Sequence, residues 1–282
     1  MPAVLLALLS SFAYGVSDYL AGLKTRFLPL VTVLMVSHAV ALAAITATLA
    51  VAVGDMPDAK YFEYGILAGI TEAVGLAALY YGLAVGKMSV VAAVAATAPI
   101  VPVVATVITG DAPNAVQWFG IVIAIAGVSM LALDSPEEND PHALRKPSVS
   151  IVFGLITALG LGGFLLAMNH AAEGSVQWAL ISARVTTVAI FALAFLVTRP
   201  EGDLKIRDWG MLALIGLMLL VADSFYAVAS VKGVLSVAAV LSSLYPVVTI
   251  LLARFHLGER LTRGQIAGIA VVLVGAAALS IG

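Results

Sequence analysis

Three ionisable residues sit near the middle of long apolar runs: Glu72, Arg184 and Asp223. A charge at the centre of a bilayer costs about 2.5–3.5 kcal/mol on insertion scales, so each needs a partner or a watery cavity. A carboxylate held there can pair with the cationic or amine group of a solute, or take up a proton. The competing use is an internal ion pair with Arg184 that only fixes helix packing. Tyrosines accompany both acids. Tyr80 lies two helical turns beyond Glu72 and Tyr226 three residues beyond Asp223, spacings that let each share its acid's face. Tyr14, Tyr81 and Tyr245 are further candidates for a cavity wall. Asp18 lies nearer the end of its run, where it either reaches water or adds another carboxylate to the site. His38 reads as packing, or as hydrogen-bonded to a carbonyl, with proton handling the lesser alternative.

The runs that carry these residues set the solvent. Of the 282 residues 62% are apolar and 11% charged, with a mean hydropathy of +1.11; soluble domains carry about 25% charged residues. The charges cluster, leaving apolar stretches of about 20 residues, the length needed to cross a bilayer core as a helix. Only helices or closed barrels satisfy every backbone polar group in lipid, and continuous apolar runs without strand alternation select helices. Spans are expected near 3–22, 31–53, 61–84, 90–109, 115–133, 149–169, 177–198, 209–229, 235–254 and 264–281. The first is a span and not a signal peptide, since it lacks a basic leading region and its apolar stretch is too long.

These ten spans divide into two copies. Ser89 to Pro99 (S-V-V-A-A-V-A-A-T-A-P) repeats Ser236 to Pro246 (S-V-A-A-V-L-S-S-L-Y-P) at an offset of 147 residues, and Gly15 matches Gly162 at the same offset. Gln117 matches Gln265, Gly120 matches Gly268 and Gly127 matches Gly275 at 148. The expected units are residues 1–133 and 149–282, joined by a polar linker over 134–148. Five spans per copy is an odd number, so the second copy enters the membrane from the opposite side and the repeats are inverted. Glu72 and Asp223 then lie in corresponding spans, 3 and 8, and approach the pseudo-two-fold axis from opposite repeats. Inverted repeats are a recurring architecture of secondary transporters, with the binding site near the midplane between them.

Loops after odd-numbered spans hold eleven Lys and Arg residues and those after even-numbered spans hold two, Lys60 and Lys232. The positive-inside rule places the odd loops in the cytoplasm and both termini outside. Pro99 and Pro246 stand at the same point of both repeats, where a lost helix bond suits a hinge or gate. Gly65-x-x-x-Gly69, Gly82-x-x-x-Gly86, Gly264-x-x-x-Gly268 and Gly160-Leu161-Gly162-Gly163 permit close helix approach.

The two spans that open S-V-x-A and end in proline, each followed by a glycine–acid corner and Q-x-x-G, resemble the drug/metabolite transporter superfamily. The chain is most similar to its EamA-type ten-helix permeases, above all at Tyr245-Pro246-Val247-Val248, Leu257-Gly258-Glu259-Arg260-Leu261 and Gln265-Ile266-Ala267-Gly268. The first copy departs from the pattern, with Gly110-Asp111-Ala112-Pro113 at its corner. The resemblance implies secondary transport, commonly efflux of amino acids, drugs or other metabolites, and termini in the cytoplasm, opposite to the charge count.

The expectation is an all-α polytopic protein of the inner (plasma) membrane, a monomer or weak oligomer. It exports a small organic metabolite or drug through a cavity bounded mainly by spans 1, 3, 4, 6, 8 and 9. Lipid, the solute and a coupling proton are its partners. A net charge of −2 offers no basic surface for nucleic acid. No G-x-x-x-x-G-K-[ST] loop, no H-E-x-x-H pair and no cysteine is present, so neither an ATP motor nor a recognisable metal or cofactor site is expected. Two alternatives stay open: an intramembrane enzyme using Glu72 and Asp223 as a catalytic pair, and an importer of the same fold. A non-transporting sensor is disfavoured by the inverted repeat.

Overall fold

Backbone groups cannot be left unpaired in hydrocarbon, and the apolar runs meet that demand by closing into helices. The computed structural model describes residues 2–49, 56–85, 88–133, 147–202, 204–257 and 261–281. Their regular structure is helical: α1 (Pro2–Thr25), α2 (Leu30–Thr48), α3 (Ala59–Val85), α4 (Met88–Ala95), α5 (Ile100–Thr109), α6 (Ala115–Leu133), α7 (Pro147–Gly174), α8 (Val176–Thr198), α9 (Ile206–Lys232), α10 (Leu235–Ser242), α11 (Tyr245–Leu257) and α12 (Arg263–Ile281). The pairs α4–α5 and α10–α11 each make one crossing, giving ten crossings, five in each half. Among the described residues nine runs are long and apolar enough to span a membrane, and Ala115–Leu131 in α6 is a shorter apolar run. Most of the 134–148 linker, the Gly258-Glu259-Arg260 corner, the Gly54-Asp55 turn, Gly86, Lys87, Arg145 and Lys146 lie outside the described residues.

The sixth crossing is longer than expected. Hydropathy ends it at residue 169, but α7 continues to Gly174. Ala167-Met168-Asn169-His170-Ala171-Ala172-Glu173 contains no breaker, so the helix propagates until glycine ends it. Large apolar side chains face outward along the helices, with Leu159 65%, Leu193 63% and Leu273 60% exposed. A surface of that kind belongs against lipid and not water.

Packing repeats between the halves. The most extensive contact is α3 on α7, followed by α6 on α12, the fifth crossing of each half, and by α1 on α9, the counterpart of the first; α2 meets α8. Small residues make this possible, because association in lipid depends on close van der Waals approach. A Cβ on Gly15 would lie 2.8 Å from the Tyr245 carbonyl oxygen, and one on Gly162 would lie 2.4 Å from that of Ala98. The same holds 147 residues apart for Gly69 against the Ala183 carbonyl (2.5 Å) and Gly216 against that of Ser37 (2.3 Å). The matched glutamines also have a local job. Gln117 and Asn114 exchange side-chain and backbone hydrogen bonds at the start of α6, and Gln265 and Thr262 do so at the start of α12. Both are capping boxes that satisfy otherwise orphaned backbone donors.

The fourth and ninth crossings break at equivalent places. Residues 96–99 and 243–244 form turns, with i→i−3 bonds such as Ala98 N–H to Ala95 O (3.0 Å) and Leu244 N–H to Leu241 O (3.3 Å). Proline cannot donate and its ring clashes with the preceding turn, so the α-helix tightens and restarts around it.

Candidate functional site

Arg184, in the middle of α8, is wholly buried. Its Nη1 donates to Glu72 Oε1 at 3.0 Å and to Oε2 at 3.1 Å. Its Nη2 meets Asp223 Oδ2 as an ion pair, and the Tyr14 hydroxyl donates to Asp223 Oδ1. Thr187, one turn along α8, places its hydroxyl 2.9 Å from Glu72 Oε2. His38 on α2 brings Nε2 to 3.7 Å from Glu72 Oε1, while its Nδ1 lies 2.8 Å from the Leu34 carbonyl. That carbonyl can only accept, so Nδ1 carries a proton. The Phe191 ring packs against the imidazole edge to face, centroids 5.1 Å apart. Five helices therefore meet in one buried network: α1, α2, α3, α8 and α9. The buried guanidinium is tolerated because carboxylates flank it on two sides.

Beside the network lies a chamber of about 430 Å³. Tyr14, Glu72, Asp18, Tyr80 and Tyr245 line it, together with Pro99 and Pro246. The remaining lining is largely alanine, leucine and isoleucine, extending to Leu83, Leu131 and Ile250 towards the odd-loop ends of their helices. Tyr14 and Tyr245 face each other with ring centroids 6.1 Å apart. The crossings that bound the chamber are 1, 3, 4, 6, 8 and 9, and the fifth also contributes, through Val128 and Leu131. Asp18 is exposed to this space, and among the described residues no cation pairs with it.

A second cavity, of about 810 Å³, opens at the opposite end of the bundle, between the ends of α5, α7 and α9 and the start of α10. Thr109, Asp111, Asn169, His170, Glu173 and Ser230 make it polar. The two cavities share no lining residue, and Val103, Leu165, Tyr226, Ala238 and Leu241 are buried in the interior.

Most of the residues singled out by sequence thus converge. Glu72, Arg184, Asp223 and Tyr14 form the network; Asp18, Tyr80, Tyr245, Pro99 and Pro246 line the chamber. Tyr226 is apart from them. It is fully buried and its hydroxyl donates to the Leu165 carbonyl at 2.6 Å, so it ties α9 to α7 and does not reach the chamber. Tyr81 is 57% exposed and packs on Phe153 outside it. His38 makes the carbonyl bond expected of it, but its second nitrogen faces Glu72, which sequence reasoning did not anticipate; Thr187 was not singled out at all. A signal existed for His38. It and Arg184 stand 146 residues apart, at matching heights in the second crossing of each half.

The EamA-like transporter family matches residues 1–133 and again residues 148–281. The chain belongs to this family. A solved crystal structure, described only as that of a protein, superposes with a TM-score of 0.82 over 99% of this chain and 96% of that chain, at 16% identity. Identity that low speaks to the fold alone. No curated protein matches the sequence. Two family matches on one chain agree with two five-crossing repeats. The intramembrane-enzyme alternative is set aside, because the EamA-like proteins are transporters and because the two acids are both engaged by Arg184.

Proposed function

We propose that this EamA-like transporter exports a small organic compound, an amino-acid-like metabolite or a drug, across the inner membrane by alternating access. The repeats 1–133 and 149–282 rock about the broken fourth and ninth crossings, with Pro99 and Pro246 as hinges, and the 134–148 segment links them. The observation that carries this reading is the position of the chamber: it lies between the halves, and each half contributes one helix break to its wall. The separate cavity at the far end, with a lining that shares no residue with the chamber, supports two access routes. Asp18 anchors the solute's amine, because it is the chamber carboxylate not already held by Arg184. Tyr14, Tyr80 and Tyr245 supply aromatic faces and hydroxyls around the apolar body, the usual mixture in a small-molecule site. Arg184 and Asp223 act behind that surface and, with Glu72 at its edge, couple its occupancy to helix position.

The experiment is an untargeted comparison of spent medium from cells overproducing the chain, cells with an Asp18→Asn variant and cells with an empty vector. A few amine-bearing metabolites should accumulate outside the overproducer and not outside the variant. Depletion from the medium would establish import instead, and accumulation of compounds without an amine would remove Asp18 from the binding role.

A further inference from the structure

We infer that His38 and Glu72 together hold the proton that drives this transporter, an inference that rests on the transport reading above. His38 Nδ1 is committed to the Leu34 carbonyl, so only Nε2 can gain or lose a proton. Nε2 is buried without a hydrogen-bond partner and points at Glu72 Oε1 from 3.7 Å. A neutral ring in this tautomer turns a lone pair towards a carboxylate oxygen in a buried site, where repulsion is poorly screened. One proton between the two atoms converts that repulsion into a hydrogen-bonded ion pair.

The charge count agrees. Two carboxylates, Glu72 on α3 and Asp223 on α9, share one cation, Arg184 on α8, and one negative charge is left over in the buried cluster. A single proton on the His38–Glu72 pair balances it. The other titratable groups in the helix interior around this pair are three phenols and, on the chamber side of α1, the Asp18 carboxylate. Tyr14 on α1 is committed to Asp223, Tyr226 on α9 to the Leu165 carbonyl, and Tyr80 on α3 packs with Leu34 and Phe191 on the chamber side.

The route is equally constrained. Glu72 borders the chamber and His38 does not, so a proton arriving from chamber water reaches Glu72 Oε1 first and then His38 Nε2. No bond other than those to the proton is made or broken. Arg184 grips Glu72 of the first half and Asp223 of the second, so the proton sets how strongly one guanidinium ties the halves together. Loading and release of the proton thereby bias the rocking motion, as a switch must bias a two-state element.

The test is solid-state 15N NMR of histidine-labelled, full-length protein in lipid nanodiscs, titrated from about pH 5 to about pH 9, the range where imidazole charge changes. The His38 signal is assigned by its loss in His38→Gln. We expect a doubly protonated His38 ring over part of that range, and in Glu72→Gln a protonated fraction about tenfold lower at matched pH, the effect of losing an adjacent opposite charge. A ring with bare Nε2 at every pH, or a titration indifferent to Glu72→Gln, overturns the assignment. A second readout uses whichever metabolite accumulates in spent medium. Its export should respond to a protonophore in the wild type and lose that response in Glu72→Gln; an unchanged response in the variant also overturns the assignment. If the wild type exports nothing, the transport reading fails while the NMR titration still decides the proton site.

Discussion

Arg184 is the residue on which the interior depends. It lies in the bilayer's low dielectric, fully buried, and compensates two acids from opposite halves of the chain. Removing one partner of a buried pair costs about 3–5 kcal/mol, because an uncompensated charge stays behind. Arg184→Met should therefore lower the thermal midpoint of the detergent-purified protein sharply, as followed by the fluorescence of its three tryptophans. Adding Glu72→Gln and Asp223→Asn should restore much of the loss by removing the orphaned charges. An Arg184→Met protein that melts like the wild type would contradict the network. The three charged members were legible in the sequence because an ionised residue amid apolar neighbours stands out and needs a partner. Their connections were not. Whether Asp223 meets Tyr14 or Tyr226 depends on how α9 is rotated, and a periodicity of 3.6 leaves both tyrosines plausible neighbours.

At the scale of helices, contact distance is set by glycine. Gly162 lies against the backbone of the broken fourth crossing, and Gly15 against that of the ninth, in both cases with no room for a Cβ. Gly22, at the end of the same α1, has open space around it. Replacing glycine by alanine in a helix gains about 0.5–1 kcal/mol when nothing obstructs the methyl, whereas overpacking costs about 1–3 kcal/mol. The three substitutions should thus separate by sign: Gly22→Ala neutral or stabilising, Gly15→Ala and Gly162→Ala destabilising by similar amounts, since they stand at equivalent contacts. Melting curves of the three variants check this. Unequal losses at Gly15 and Gly162 would mean that the two breaks are not packed alike. These glycines and Pro99 and Pro246 could be found by alignment of the chain with itself, because packing constraints repeat with the fold. The run-on of α7 to Gly174 could not, since an apolar helix and its polar extension have the same backbone preference and only the hydropathy changes.

For the molecule as a whole, the inverted arrangement has a consequence for sidedness. The chamber reaches towards the odd-loop ends of the helices, marked by Leu83, and the second cavity towards the opposite ends, marked by Thr109. The protein has no cysteine, so Leu83→Cys and Thr109→Cys each introduce a single thiol into an otherwise unreactive background. Eleven basic residues in the odd loops against two in the even loops argue for odd loops in the cytoplasm. A membrane-impermeant maleimide added to intact cells should then label Thr109→Cys and spare Leu83→Cys, and inside-out vesicles should give the reverse. The opposite pattern would place the termini in the cytoplasm, as family resemblance implies, and would turn the chamber to face outward. Labelling of both thiols from one side only would be incompatible with cavities at opposite ends of the bundle. Alternating access adds a second requirement. A solute that is carried should lower the labelling rate of one thiol while raising that of the other, because rocking of one repeat against the other opens one route as it closes its counterpart.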